Sequence, residues 1–148
     1  MLQRGGVYAL KALLEMALEP QLWHSVSELA RAGDIPAPML EQLLLKLRRA
    51  GLVEGRRGRQ GGYRLRQSPA AIPLTAILSA VTTGPLAWDN PEVEGMPPQA
   101  SDRVAEALQR RLRRALEREL AQLTLEELLF DLRSTRASLS EEGGLMMG

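Results

Sequence analysis

The chain has 148 residues, 45% of them hydrophobic and 25% charged, and its 19 basic against 18 acidic side chains leave a net charge of +1. That is the make-up of an ordinary soluble globular protein, long enough to bury a core, and the overall charge points to no partner. With no cysteine and one histidine, His24, the chain lacks the ligands for disulfides, a zinc finger or a thiolate-held iron–sulfur cluster. No apolar run reaches the ~20 residues of a membrane span, and no signal-peptide pattern opens the chain, so a cytoplasmic protein with no membrane partner is expected.

In chain order, Val7, Leu10, Leu13, Leu14, Ala17 and Leu18 recur at helical spacing until Pro20, which predicts a core helix. Arg4 and Lys11 on that helix read as solvated. Ser25 and Glu28 make a capping-box pattern, so a short helix over 25–32 follows. Gly33 is expected to close it at positive φ, and Pro36 stands in the tolerated first turn of the next helix. Helix, glycine-containing turn and helix together predict a helix-turn-helix.

In the second helix of that pair, Leu40, Leu43, Leu44 and Leu47 follow i, i+3, i+4, i+7 and face the core. Pro38, Glu41, Gln42, Leu45 and Arg49 then share the opposite face. Glu41 has Leu44 and Leu45 three and four places ahead, so no forward helical ion pair accounts for it. Near DNA a carboxylate accepts a hydrogen bond from the cytosine amino group, and a Gln42 amide bonds adenine. A plain solvated face is the alternative.

Gly51 ends this helix and Leu52-Val53 begins a strand. Beyond the turn-rich GRRGRQGG, Tyr63 and Leu65 alternate with Arg64 and Arg66, predicting a hairpin with one packed and one basic side. Gly58, Gly61 and Gly62 permit a tight tip, and Arg57 and Arg59 are its candidates for entering a narrow groove. Between Lys46 and Arg66 eight basic residues stand against Glu54 alone, a local net charge of +7, while 1–45 carries −2 and 67–148 carries −4. Such asymmetry is the footprint of a phosphate-binding surface. The candidate contacts to double-stranded DNA are therefore Glu41, Gln42, Leu45, Lys46 and Arg49 on the helix, with Arg56, Arg57 and Arg59 on the hairpin.

Pro73 opens a helix carrying Leu74, Ile77, Leu78 and Val81. The segment 83–101, with four prolines and two glycines, reads as a long loop in which Trp88 is expected to pack on the core. From 102 the chain is strongly helix-forming, with Val104, Leu108, Leu112, Ala115, Leu116 and Leu120 along one side. A helix of about 30 Å outruns a small domain, and the same helix of a second chain is the economical cover for its stripe, predicting a homodimer. Thr124 and Glu127 cap a short final helix through Leu132. Four segments are expected: a DNA-binding domain over 1–82, a loop over 83–101, dimerisation and final helices over 102–133, and a disordered tail over 134–148.

The runs YALKALL from Tyr8, MLEQLLLKLRRAGLVEGRRGRQGGYRL from Met39 and IPLTAILSAV from Ile72 closely resemble the bacterial winged-helix repressor family of IscR, NsrR and CymR. The resemblance is specific over 7–82 and architectural beyond. It implies a mainly α fold, a winged helix-turn-helix domain with a small β-hairpin wing and a long C-terminal dimerisation helix. It also implies a homodimer that binds a two-fold symmetric operator and regulates transcription, with Glu41 and Gln42 reading bases and Arg57 entering the minor groove. Many members hold an iron–sulfur cluster on cysteines in the loop before the dimerisation helix; this loop has none, so a cofactor-free member is expected. Pro38-Met39 replaces the usual small-polar residue and tyrosine, and Leu45 replaces a usually small residue, where it could meet a thymine methyl group.

A rival reading is a protein-interaction module whose basic hairpin docks an acidic protein. An enzyme is the weakest candidate, since no nucleophile–base pair, metal cluster or phosphate-cradling glycine loop is visible and His24 alone builds no catalytic site. An effector, small molecule or protein, would be compatible with the loop, but no convergent polar set there identifies one.

Overall fold

A computed structural model describes residues 2–82 and 99–147; Trp88 and the rest of 83–98 lie outside the described residues. Helix α1 spans Arg4–Leu18 and is central, buried through Gly6, Ala9, Ala12, Leu13, Met16 and Ala17. The buried stripe is rotated from the expected one: Val7 is exposed and the small residues face inward. Close packing is the reason, since a Cβ on Gly6 would stand 3.2 Å from Leu78 Cδ2.

Helix α2, Val26–Gly33, starts where Ser25 Oγ accepts the Glu28 backbone N–H at 3.1 Å. Its end differs from expectation, because Asp34 (φ 51°) and not Gly33 takes the left-handed conformation. Aspartate tolerates that region, whereas Gly33 is needed for space: a Cβ there would lie 2.8 Å from Ile35 Cδ1. Lys11, expected to be solvated, donates from Nζ to the Gly33 carbonyl at 2.9 Å and satisfies one of the free carbonyls at the end of α2. Helix α3, Ala37–Arg49, then buries Leu40, Leu43, Leu44 and Leu47 as their spacing requires.

Strands β1 (Val53–Arg56) and β2 (Gly62–Leu65) form an antiparallel hairpin with Val53 opposite Leu65 and Glu54 opposite Arg64. The segment between α1 and α2 adds a bridge on the far side of β2, where His24 and Tyr63 exchange backbone hydrogen bonds of 2.8 and 2.7 Å. A short 3-10 turn, Pro69–Ala71, leads to α4, Leu74–Val81.

Helix α5 spans Ala100–Gln122 and is capped by Gln99, whose N–H donates to Asp102 Oδ2 at 2.9 Å. Helix α6 spans Leu125–Met147. Two backbone bonds fasten their junction to the entrance of α4: Leu74 N–H to Leu123 O and Leu125 N–H to Ile72 O, both 2.9 Å. Leu125 and Leu129 enter the same core as Leu13, Leu44 and Ile77, so the core does not stop at residue 82. The final helix does not stop near 133 either, and the tail expected to be disordered is helical through Met147. Ser138 Oγ and Thr135 Oγ1 bond carbonyls four residues back, and Arg136 pairs with Glu15 of α1 at 2.9 Å.

Candidate nucleic-acid interface

With its four leucines buried, α3 turns its other side outward. Glu41, Gln42 and Arg49 are exposed there, Leu45 is 43% exposed and Lys46 is half-buried. Pro36 as N-cap and Pro38 in the first turn suit the start of a helix, where free N–H groups need no intrahelical partner. At the other end the last turn contributes Lys46, Arg48 and Arg49, which also complement the negative end of the helix dipole.

The hairpin is fastened to that end of α3. Gly51 (φ 77°) makes the turn, and Leu52 N–H donates back to Leu47 O at 3.0 Å. Arg56 ends β1, and Arg57 and Arg59 occupy the connecting turn, all three exposed. Two glycines make the turn feasible: a Cβ on Gly61 would fall 2.1 Å from Arg56 O, and Gly62 combines φ 143° with a Cβ position 2.2 Å from His24 O. Thus the eight proposed contacts lie on two consecutive elements, seven of them exposed. Among the described residues no side-chain hydrogen bond or ion pair joins any two of them.

The basic side of the hairpin is not uniform, however. Arg64 Nε donates to Glu54 Oε1 at 2.6 Å across the strand pair, and its guanidinium lies 4.2 Å from the centroid of the Trp23 ring. Arg56 lies 5.8 Å from the same ring. Because Glu54 is opposite Arg64 and the His24–Tyr63 bridge sets Trp23 beside Arg64, the three side chains form one cross-strand row. Composition alone assigns none of this to Trp23. Its signal was available only as a bulky aromatic one residue ahead of a strand bridge, and the single acid in the basic segment, Glu54, marked the partner.

Helix α5 has no fully buried residue. Val104, Leu108 and Leu112 are 71%, 56% and 48% exposed, Ala115 is exposed and Leu116 half-buried, while Leu120 packs against the chain's own core. The gradient follows from the spacing. A strict four-residue repeat advances about 40° per step on a 3.6-residue helix, so the stripe winds from the winged domain at Leu120 to open solvent at Val104.

Over residues 2–131 the chain matches the Rrf2 family, described as iron-dependent transcriptional regulator. The chain belongs to the Rrf2 family. This Rrf2 protein is 38% identical over 135 residues, 90% of each chain, to a Synechocystis protein assigned by name to the HTH-type transcriptional regulators. Against IscR of Cereibacter sphaeroides it is 44% identical over 79 residues, which span 51% of each chain. Among solved structures, T. potens IscR superposes with a TM-score of 0.70 at 28% identity, covering 89% of this chain and 88% of that one. CymR, the global cysteine regulator of B. subtilis, superposes with a TM-score of 0.68 at 30% identity, covering 87% and 95%. The chain is accordingly a bacterial winged-helix, DNA-binding transcriptional regulator and not an enzyme.

Iron in the family's description raises the question of donors. The Rrf2 protein has no cysteine and a single histidine, whose Nε2 is 3.1 Å from Glu19 O. Among the described residues no group of three or more His, Cys, Asp or Glu side chains is placed to hold a metal ion. The residues present do not fit a thiolate-held iron–sulfur cluster. Among the described residues, too, no helix is long and apolar enough to cross a membrane.

Proposed function

We propose that the protein is a homodimeric, sequence-specific repressor that binds a palindromic operator in the cytoplasm without an iron–sulfur cluster. The observation that carries this reading is the outward face of α3 together with the exposed hairpin fastened to its end, the last turn of α3 and the hairpin lying in a segment, 46–66, of net charge +7. Glu41, Gln42 and Leu45 face outward together on α3 and are assigned to base edges. Lys46, Arg49, Arg56 and Arg59 are assigned to phosphates, and Arg57 to the minor groove. Dimerisation is assigned to α5 through Val104, Leu108 and Leu112, whose exposed stripe needs a cover. Its four-residue repeat suits two helices crossing at about 50° through their i±4 ridges better than a heptad coiled coil.

The test is to incubate the purified protein with fragmented DNA of its source genome at physiological salt and sequence what it retains. A shared short palindrome upstream of a few genes is expected, with binding that weakens at a log–log salt slope of about −0.9 per phosphate contacted. Transcription of those genes should rise when the regulator is deleted. Retention without a shared motif would overturn operator recognition, and binding indifferent to salt would overturn the phosphate assignment.

A further inference from the structure

Trp23 belongs to neither element assigned to DNA reading, yet two arginines of the hairpin, Arg56 and Arg64, are arranged against it. The hairpin is short, two strands of four residues, and a two-stranded hairpin is marginal by itself. Its outer strand is held by the His24–Tyr63 pair of backbone bonds, and Gly62 lets His24 come close enough for them to form. On the solvent face Trp23, Arg64 and Glu54 stand side by side, the guanidinium lying 4.2 Å from the indole centroid and bonded to the carboxylate at 2.6 Å. In the next row Arg56 is opposite Gly62, which has no side chain to separate Arg56 from the indole, and the distance to the ring is 5.8 Å.

We propose that Trp23 is a positioning residue of the DNA interface: it holds the Arg64–Glu54 pair in place and thereby presents the Arg56 guanidinium to a phosphate at a fixed distance from α3. The inference rests on the DNA-binding reading of this surface. Its logic is one of charge and stiffness. Glu54, the sole acid of the segment, would attract either arginine of its face; with Arg64 held against the indole and occupying the carboxylate, Arg56 keeps its charge for DNA. The indole in turn limits the rotamers open to Arg56, so less side-chain freedom is lost when the phosphate is bound.

Trp23 is only half-buried and outside the core, so its replacement should leave the fold intact, as an unchanged thermal melt would show. The experiment titrates retained operator DNA with the full chain carrying Trp23→Ala, Trp23→Phe, Arg56→Ala and the double change Trp23→Ala/Arg56→Ala, each over a salt series. Trp23→Ala should weaken binding roughly tenfold, the size of a lost cation–ring contact passed on to binding, and flatten the salt slope by about one phosphate. Trp23→Phe should keep most of the affinity. The double change should be no weaker than the stronger single one, because both remove the same contact. Unchanged affinity in Trp23→Ala, or an unchanged slope with losses that multiply in the double variant, would overturn the positioning role while leaving DNA binding in place. A wild-type chain that retains no DNA would overturn both.

Discussion

Glu41 is the residue on which sequence recognition turns in this reading, because a carboxylate among phosphates repels DNA unless a base donor compensates it. Its exposed position on α3, with no ion pair among the described residues, fits that use. Glu41→Ala is therefore expected to relax the preference among operator variants, erasing ~1–3 kcal/mol of discrimination at one base pair, while binding to unrelated DNA holds or improves. Arg57→Ala should instead weaken binding to every sequence. Competition titrations against operators with single base changes separate the two, and an unchanged preference in Glu41→Ala would remove it from base reading. At this scale the outward face of α3 was legible in the sequence, since helical periodicity is local. The Trp23, Arg64 and Glu54 row was not, because it joins three strand segments whose register is set only by the folded hairpin. Asp34 escaped for a similar reason: the glycine beside it was needed for space against Ile35, and space is a tertiary property.

Among the elements, α5 was the clearest in the sequence, and its stripe the least completely understood. The repeat of Val104, Leu108, Leu112, Leu116 and Leu120 marks an apolar row, but only the structure distinguishes the end packed on its own domain from the end left in solvent. The two ends should therefore answer differently to substitution. Leu108→Glu with Leu112→Glu should convert a dimer into monomers in sedimentation, with a thermal melt of the winged domain close to that of the parent. Operator affinity should fall steeply, because each half-site would have to be bound without the avidity of a linked pair. A variant that sediments as the parent does would place the dimer contact elsewhere. The end of α6 departs from its composition, whose serines, threonine and glycines suggest disorder. The Arg136–Glu15 pair, which ties the helix to α1, acts in the opposite sense.

For the whole molecule, the core runs across the boundary expected at residue 82. Leu125 is fully buried with residues of α1, α3 and α4, although it follows the long helix in sequence. Leu125→Ala should therefore destabilise the DNA-binding unit by about 2–5 kcal/mol, the range for emptying a leucine site, read as a lower denaturation midpoint and weaker DNA retention. Removing residues 134–148 should leave the midpoint nearly unchanged, since the described side chains of that stretch are exposed. Equal midpoints for Leu125→Ala and the parent would mean that α6 is peripheral after all.

The two backbone bonds that fasten Leu74 to Leu123 and Leu125 to Ile72 have a mechanical meaning. They clamp α5 at its C-terminal root, from which the described helix runs out as a cantilever with Val104 and Leu108 exposed toward its start. If two such cantilevers cross, the separation of the two reading heads is fixed by which leucines meet. Moving the crossing by one ridge shifts it about 6 Å along the helix, enough to put the heads out of step with a duplex that repeats every ~34 Å. The arms would then work as a caliper, with the permitted spacing between half-sites encoded far from any residue that touches DNA.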